Sequence, residues 1–503
     1  MPTRTSPLAP GRPADPSGLV LAIDQGTTSS RAALVDHESR VVASHSVEYP
    51  NYFPSPGRVE HDAEEIWGSV AGAVGQVLAN VHPSRIVAIG ITNQRETSLF
   101  WDAATGRSAH RALVWQDRRT AARCEELKQA GWEDKIRART GLVIDPYFSG
   151  TKAEWMLQNV PGVREGAATG ALRYGTIDSY IAWKLTGEHV TDPSNASRTL
   201  LYDITRNRWD DELLALFGVP AACLARVVDN AGTFGVTRGV GFLPDGIPVA
   251  GLAGDQQSAL FGQACFGSGE AKCTYGTGAF LLMNTGTRPV PSTRGMLTTI
   301  GWRLGGETTY ALEGSAFVAG AAVQWLRDGL GIIQKSSDVE ALARTVEDNG
   351  GVSFVPALAG LGAPHWRPDA RGLLCGLTRG SNRGHIARAV LEGMALQIAD
   401  ILGAMEADSG QPLKELKVDG GAAQNELLMQ FQADVLGVRC VRPTNLETTA
   451  MGAAYLAGLG VGFWQSLDDV RDAWAKDRTF EPGMSGDERA SRRASWAAAV
   501  SRA

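Results

Sequence analysis

A short polar turn near the start of the chain has the residue types that bind phosphate. Residues 24–31 read DQGTTSSR, a glycine followed by small hydroxyl residues and an arginine. Backbone N–H groups in such a turn form a concave anion site, and hydroxyls add donors to phosphate oxygens. Asp24 stands where a carboxylate could hold Mg²⁺ through water, because Mg²⁺ keeps most of its hydration shell. The alternative is a plain hairpin turn that its own hydroxyls cap.

Two segments of the second half invite the same interpretation. Residues 275–278 read YGTG and repeat the logic of the first turn. Residues 419–425 read DGGAAQN, so two glycines follow an apolar strand and precede a predicted helix. Glycines at that point let a flat ligand such as a nucleotide base lie against the backbone. The alternative is a strand-to-helix turn without a ligand.

Acid–base chemistry and polyol binding are suggested by residues of the first half. Asp255 follows a Gly-x-x-Gly bend in the segment GLAGDQQ, where its carboxylate could accept a proton from an attacking hydroxyl. A helix N-cap is the alternative role for an Asp after Gly. Arg95 and Glu96 follow a predicted strand and could hydrogen-bond a polyhydroxyl substrate, or form a surface ion pair. Trp115 and Tyr147 are candidate pocket walls, although core packing would also explain Trp115.

The elements that must position these residues can be read from the apolar pattern. Strands are predicted at 19–23, 32–35, 41–47 and 86–91, with a helix at 63–79. A second Gly-Thr hairpin, with strands at 271–275 and 279–284, lies about 250 residues after the first. The 503 residues are therefore expected to form two related α/β domains, residues 18–262 and 263–503. Residues 1–17 are predicted to be a disordered tail, and the region from Asp468 a peripheral helical segment.

Composition narrows the function classes. A net charge of −6 gives no electrostatic reason to expect nucleic acid or membrane lipid as a partner. The apolar run 450–464 is too short to cross a membrane and predicts a buried helix. Scattered cysteines without a C-x-x-C pair are typical of a reducing compartment, so a cytoplasmic protein is expected. The P-loop, protein-kinase and α/β-hydrolase motifs do not occur, so ATP would require another architecture.

Taken together and in this order, the segments resemble the FGGY carbohydrate kinases from about residue 20 to about residue 464. The blocks 147–159 (YFSGTKAEWMLQN) and 372–392 (GLLCGLTRGSNRGHIARAVLE) are similar to the two family signatures. Within the family, the blocks ITNQRET, VWQDRRT, AGDQQSALFGQ and TYGTGAF resemble members that phosphorylate glycerol. The resemblance implies two actin-like (RNase H-like) domains with an ATP and substrate cleft between them, and the cofactors ATP and Mg²⁺.

Site residues follow from the same resemblance, position by position. Asp255 matches the general base, and Asp24 lies where the metal is approached. The positions that match glycerol binding are Arg95, Glu96, Trp115, Tyr147, Asp255, Gln256 and Phe280. The positions that match nucleotide binding are Thr27, Thr28, Ser29, Arg31, Thr277, Gly320, Gln324, Gly421 and Asn425.

The implied reaction is phosphorylation of glycerol to sn-glycerol 3-phosphate by ATP, at the entry of glycerol catabolism. A pentulose, a hexulose or another polyol is the alternative substrate. An actin-like ATPase without a small-molecule substrate is the alternative of a different class, but it would not need the polyol-binding residues. Homodimers or homotetramers are typical of the family. Residues 236–245 and 482–490 depart from the family segments linked to allosteric control, which places such control in doubt.

Overall fold

The computed structural model describes residues 15–503. Most of the predicted tail, residues 1–14, lies outside this range, whereas Asp15 accepts a backbone hydrogen bond from Gly18 in a turn that leads into the first strand. None of the helices within residues 15–503 has both the length and the apolar character needed to cross a membrane.

Strands of the first half supply one large sheet and several small ones. They are β1 (Leu19–Gln25), β2 (Ser29–Val35), β3 (Val41–Glu48), β4 (Glu60–His61), β5 (Ile86–Asn93), β6 (Ser98–Asp102), β7 (Ala112–Leu113), β8 (Leu172–Thr176), β9 (Val190–Thr191), β10 (Tyr202–Asp203), β11 (Arg208–Trp209), β12 (Arg226–Val227), β13 (Ala231–Val236) and β14 (Pro248–Gly254). The strands of the second half are β15 (Glu270–Tyr275), β16 (Ala279–Gly286), β17 (Leu297–Leu304), β18 (Glu307–Ala316), β19 (Ser353–Val355), β20 (Leu373–Cys375), β21 (Glu415–Asp419), β22 (Cys440–Pro443) and β23 (Lys476–Phe480).

Helices cover the sheets and connect their strands. They are α1 (Ala63–Val77), α2 (Ala121–Gln129), α3 (Glu133–Thr140), α4 (Ser149–Asn159), α5 (Val163–Thr169), α6 (Ile177–Thr186), α7 (Pro193–Ala196), α8 (Asp211–Phe217), α9 (Asp255–Gly262), α10 (Gly320–Asp328), α11 (Asp338–Ala343), α12 (Arg383–Ser409), α13 (Glu426–Leu436), α14 (Thr448–Gly460), α15 (Leu467–Ala473) and α16 (Gly486–Val500). Short 3-10 turns lie at Pro83–Arg85, Ala221–Cys223 and Gly421–Gln424.

The two large sheets share one plan. The first has the order β13-β14-β5-β1-β2-β3, in which β1 pairs antiparallel with β2 and parallel with β5. The second has the order β17-β18-β16-β15-β21-β22-β23, in which β15 pairs antiparallel with β16 and parallel with β21. Each sheet therefore starts from a Gly-Thr hairpin and adds parallel strands beside its first strand. The predicted two-domain α/β fold is confirmed.

Helices α9 and α14 join the two halves, and where they cross there is no room for a Cβ atom. Helix α14 comes from the second half but packs on β1, β5 and β14 of the first sheet, and it crosses α9. A Cβ at Gly452 would stand 1.8 Å from the carbonyl oxygen of Ser258, and one at Gly262 would stand 1.9 Å from that of Thr448. Glycine is required at both positions because only its backbone permits this approach. The run predicted as a buried helix is thus a helix over Thr448–Gly460, with Trp464 buried just beyond its end.

The predicted strands and the predicted helix in the first half are confirmed, with ends that shift by a few residues. The prediction for the region from Asp468 was incomplete. This region forms α15 and α16, but Lys476–Phe480 between them pairs antiparallel with β22 as the edge strand of the second sheet. The charged residues of Lys476–Phe480 gave no signal for a strand, because an edge strand that is exposed to solvent need not alternate apolar and polar residues.

Candidate active site

The candidate active site begins where three parallel strands of the first sheet end together. In the register of this sheet Gln25 of β1 and Gly254 of β14 both pair with Asn93 of β5. The phosphate turn, the Arg95–Glu96 pair and Asp255 follow these three strand ends. The carboxyl ends of parallel strands meet at one edge of a sheet, so residues far apart in sequence come together there.

A buried polar loop fixes two of those strand ends. The amides of Asn93 and Asn195 exchange hydrogen bonds of 3.1 and 3.0 Å. Ser194 accepts a bond of 2.9 Å from the backbone N–H of Gly254, the residue before Asp255. Asp192 accepts bonds from both Ser194 and Asn195, so one carboxylate organises the supports of both strands. Burial raises the pKa of Asp192, and the hydrogen bonds it accepts oppose that shift.

Arg95 and Glu96 are buried, which excludes the surface ion pair weighed as an alternative. Their side chains are 2% and 1% exposed. Glu96 has φ of +61°, in the left-handed region that a residue with a Cβ rarely adopts. Such backbone strain persists only where the surroundings enforce it, and it concentrates at functional sites.

A buried cluster of charged side chains surrounds the Arg95 guanidinium, and one of them, Glu313, comes from the second half of the molecule. Arg95 Nη1 and Nη2 donate to the Glu313 carboxylate at 2.5 and 2.9 Å. Arg198 Nη2 donates to Glu313 at 3.0 Å, and its Nε donates to Glu96 at 2.6 Å. Burial works against the ionised form of Glu313, but Arg198 and Arg95 lower its pKa to about 2. These two arginines and two glutamates therefore pair with one another in a buried cluster.

Asp255 is the most exposed residue of this cluster. Its side chain is 31% exposed, and its Oδ1 lies 3.2 Å from Arg95 Nε. That contact lacks the alignment of a hydrogen bond, so Arg95 Nε is a buried donor without a partner among the described residues. Gly254 is the N-cap of α9 and Asp255 its first residue, so the N-cap role proposed as the alternative for Asp255 is wrong. The carboxylate instead accepts the backbone N–H of Gln256 at 2.7 Å.

Two aromatic rings border the same space. Trp115 and Tyr147 meet edge to face with ring centroids 5.6 Å apart. Tyr147 OH is 3.5 Å from Arg95 Nη2, and Trp115 Nε1 donates to Thr27 Oγ1 at 3.0 Å. Trp115 therefore connects the candidate polyol residue Tyr147 to the candidate phosphate turn, and simple core packing does not describe it.

Hydrogen bonds at Gly26 close and support the candidate phosphate turn. Gly26 N donates to Ser29 O at 2.9 Å and closes the turn that carries Thr27 and Thr28. The carbonyl of Gly26 accepts from Tyr49 OH at 2.5 Å. Arg31 extends from β2 and forms an ion pair with Glu447, at the start of α14 in the second half.

Asp24 has an unusual electrostatic environment. It is the penultimate residue of β1, opposite Arg31 in β2. Burial raises the pKa of Asp24 to about 6, Arg31 opposes the shift, and the negative charge of Asp255 adds to it. Asp24 and Asp255 thus lie close enough to repel each other, which is an arrangement that a divalent cation would relieve.

The nucleotide candidates of the second half assemble at the edge of the second sheet. Strands β15 and β21 are parallel and end at Tyr275 and Asp419, just before the two glycine turns. Gly320 N donates to Gly276 O at 2.9 Å, and a Cβ at Gly320 would stand 2.6 Å from that oxygen. A Cβ at Gly420 would stand 2.5 Å from Tyr275 O. The close approach of these turns requires glycine at both positions.

The remaining candidates are distributed around this edge. Thr277 is exposed at the tip of its turn, and its carbonyl accepts N–H groups at the start of α10. Gln324 is exposed one turn along α10 from Gly320. Gly421 is exposed in the 3-10 turn, and Asn425 is the N-cap of α13, where its side chain accepts Leu428 N at 2.9 Å. The structure therefore groups all five of these positions on one rim.

One face of the second sheet carries polar residues toward the first half. Cross-strand pairs share a face, and Glu313, Leu282 and Lys272 pair in one row across β18, β16 and β15. Ser315, Phe280, Thr274 and Asp419 form the next row. Phe280 therefore lies on the same face of the sheet as Glu313, which forms the ion pair with Arg95.

Comparison with known proteins agrees with this geometry. The model of the FGGY family of carbohydrate kinases, N-terminal domain, matches residues 19–262, and that of the C-terminal domain matches residues 271–461. The chain belongs to the FGGY family of carbohydrate kinases. The resemblance predicted from the sequence motifs is thereby confirmed.

Similar proteins with known names narrow the position within this family. A glycerol kinase of Myxococcus xanthus is 57% identical over 490 residues, 96% of this chain and 99% of that one. A glycerol kinase of Bdellovibrio bacteriovorus is 55% identical over 491 residues, 97% of this chain and 99% of that one. Among solved structures, Plasmodium falciparum glycerol kinase with ADP has a TM-score of 0.92 at 37% identity, covering 97% of this chain and 98% of that chain.

Sequence reasoning missed three side chains of the site, Arg198, Glu313 and Lys272. All three are fully or almost fully buried charges. Glu313 lies in the interior of the strand ETTYALEGSA, which begins with a second carboxylate, Glu307, and Lys272 is the one cation in EAKCTY. A charge in the interior of a strand must find a partner when it is buried. This was the available signal, although it does not identify the partner.

Proposed function

We propose that this protein transfers the γ-phosphoryl group of ATP to glycerol and forms sn-glycerol 3-phosphate. The observation that carries the proposal is the contrast within the charge cluster. Arg95, Glu96 and Glu313 are at most 3% exposed, whereas the Asp255 side chain is 31% exposed. A small polar site with one open carboxylate fits a short polyol, and full-length relatives at 55–57% identity are named glycerol kinases.

Asp255 acts as the general base of the proposed reaction. A terminal hydroxyl of glycerol lies against its carboxylate, and the proton passes to Asp255 as the oxygen attacks phosphorus. Positioned general bases typically contribute about 10²–10⁴-fold to a rate. Arg95 Nε, which has no hydrogen-bond partner in residues 15–503, donates to a second hydroxyl and holds it in place.

The other polyol positions complete the pocket. Glu96 accepts from a hydroxyl, and Gln256 and Tyr147 supply further hydrogen bonds. Trp115 and Phe280 cover the carbon atoms of the substrate. A pocket with these walls suits three carbons better than the five or six of a ketose.

ATP lies between the two glycine-rich rims. Thr27, Thr28, Ser29 and Arg31 contact its phosphates from the first half, and Thr277 contacts them from the second. Gly320, Gln324, Gly421 and Asn425 bind the nucleoside. Phosphoryl transfer gains mainly from positioning and from charge stabilisation, which these groups provide. Residues 18–262 then form the glycerol domain and residues 263–503 the nucleotide domain.

Asp24 fits the role of a Mg²⁺ contact through water. Its carboxylate lies within electrostatic reach of Asp255, and its pKa is raised to about 6, so a nearby cation stabilises its ionised form. Bound Mg²⁺ neutralises charge on the phosphates of ATP. Asp24 would hold the cation through water, and the cation would supply charge neutralisation at the phosphates.

A panel of polyols tests the proposed substrate. ADP formation from MgATP is followed by a coupled assay with glycerol, xylulose, a hexulose and erythritol at equal concentrations. The proposal requires the highest kcat/KM for glycerol, with phosphate on a terminal carbon of the product. Turnover of xylulose above that of glycerol would assign the protein to another substrate within the same family.

A further inference from the structure

A buried lysine behind the polyol residues has no part in the reaction described above. Lys272 lies on β15 and is fully buried. Its Nζ donates to Gln256 Oε1 at 2.5 Å and to Thr274 Oγ1 at 2.9 Å. Burial lowers the pKa of Lys272, while the charges of Asp419 and Asp255 oppose that shift. A buried cation is costly, and these partners keep it in place.

The chemistry of this contact fixes the orientation of the Gln256 amide. An ammonium group only donates hydrogen bonds, so the amide oxygen of Gln256 must face Lys272. The amide NH₂ group of Gln256 then faces away from Lys272. Gln256 is the second residue of α9, next to Asp255, and is only partly buried. Within residues 15–503 that NH₂ group has no hydrogen-bond partner, so it is available to a substrate bound beside Asp255.

We infer that Lys272 is a positioning residue that makes Gln256 a dedicated hydrogen-bond donor to the substrate. The inference rests on the proposed polyol site. With Gln256 fixed as a donor, and with Arg95 donating and Asp255 accepting, each hydroxyl of the substrate meets a partner of defined polarity. Without Lys272 the Gln256 amide can rotate and turn its oxygen toward the substrate. That oxygen repels the lone pairs of the substrate hydroxyl, which the NH₂ group would have bound.

The neighbouring strand offers a matched control. Lys417 of β21 pairs directly with Lys272 in the sheet and is also buried. Its Nζ donates to the backbone carbonyls of Gln263 and Ala264 rather than to a residue of the site. Lys417→Met therefore removes a buried lysine from the same row without freeing the amide of Gln256.

A double-mutant cycle on the full chain tests the inference, with KM for glycerol as the main measurement. Lys272→Met and Gln256→Ala are each expected to raise this KM about tenfold, which corresponds to the loss of one good hydrogen bond. In the Gln256→Ala background, Lys272→Met is expected to change KM less than twofold. The kcat and the KM for ATP are expected to stay within about threefold, whereas Lys417→Met leaves the glycerol KM unchanged.

Additive effects of the two substitutions would overturn the inference, as would an equal rise in KM in Lys417→Met. If Lys272→Met does not fold, as judged by its thermal unfolding, Lys272→Gln takes its place in the cycle. Gln256→Glu provides a test that retains Lys272, because this near-isosteric side chain can only accept when ionised. It is expected to raise the glycerol KM at least as much as Gln256→Ala, and an unchanged KM would refute the donor role. A wild-type chain without glycerol-dependent turnover would instead refute the proposed function.

Discussion

Arg95 and Glu313 join the two halves of the molecule through a bidentate ion pair, although 218 residues separate them in sequence. Arg95 follows β5 of the first sheet and Glu313 lies in β18 of the second. The guanidinium that faces Asp255 is thus oriented by a carboxylate from the opposite domain. The proposed polyol site is completed only when the two halves meet, which couples its geometry to their relative position.

Removal of the Glu313 charge should weaken both stability and substrate binding. Glu313→Gln removes the carboxylate that Arg95 and Arg198 share and leaves them Glu96 and the partly exposed Asp255, and breaking a buried pair typically costs about 3–5 kcal/mol. We expect a loss of unfolding free energy of that order, together with a raised KM for glycerol. Denaturant unfolding and steady-state kinetics measure the two effects. Glu307→Gln, an exposed position of the same strand, should change neither, and a wild-type glycerol KM in Glu313→Gln would contradict the positioning role.

Substitution of the proposed base should reduce turnover much more than binding. Asp255→Asn keeps the size of the side chain but removes its ability to take a proton, so kcat should fall about 10²–10⁴-fold. Asp211→Asn is the matched control, because Asp211 is likewise the first residue of a helix but is exposed. Initial rates at saturating ATP and glycerol decide the matter. A kcat for Asp255→Asn within threefold of the wild-type value would remove Asp255 from the role of base.

Glycine at the crossing of α9 and α14 should be indispensable. In Gly452→Ala the new Cβ would stand 1.8 Å from Ser258 O, so the helices must separate. We expect destabilisation of several kcal/mol, at the upper end of single-substitution effects. Gly403→Ala in helix α12 has no atom within 4 Å of the new Cβ and should stabilise by up to about 1 kcal/mol. Equal melting temperatures for the two variants would contradict this account of the helix crossing.

Titration of Asp24 should lower the free energy of unfolding as pH rises from about 4 to about 6. Its pKa is about 6 in the folded protein, above the ordinary value of 3.8. The folded state therefore keeps this proton at pH values where the unfolded chain has lost it, which lowers the unfolding free energy as pH rises through this window. Asp24→Asn should equal the wild type in stability near pH 3.5 and exceed it by about 3 kcal/mol at pH 7.

Urea unfolding of both proteins across that pH range measures the difference. Addition of Mg²⁺ at pH 7 should reduce the advantage of Asp24→Asn, because a cation near Asp24 stabilises its ionised form in the wild type alone. A difference in stability that does not change with pH would show that Asp24 titrates normally.

The sequence was sufficient for the hairpins, the parallel strands and the residues that follow them, because a Gly-Thr turn between apolar runs is a local signal. It did not predict what holds those residues. Arg198 reaches Glu96 across 102 positions, and Glu313 reaches Arg95 across 218. The first pairing depends on how the first domain folds and the second on how the two domains meet, and no local period of the sequence records either. The edge strand Lys476–Phe480 was missed for a related reason, since its partner β22 and not its own apolar pattern makes it a strand.

ADP release from MgATP with and without glycerol directly tests whether glycerol is the phosphoryl acceptor. We expect slow release with MgATP alone and a rise of at least about 100-fold with saturating glycerol, matched one to one by glycerol phosphate. An acceptor held against a base gains at least this much from positioning and proton transfer. ADP release at the same rate with or without glycerol would contradict the proposed function.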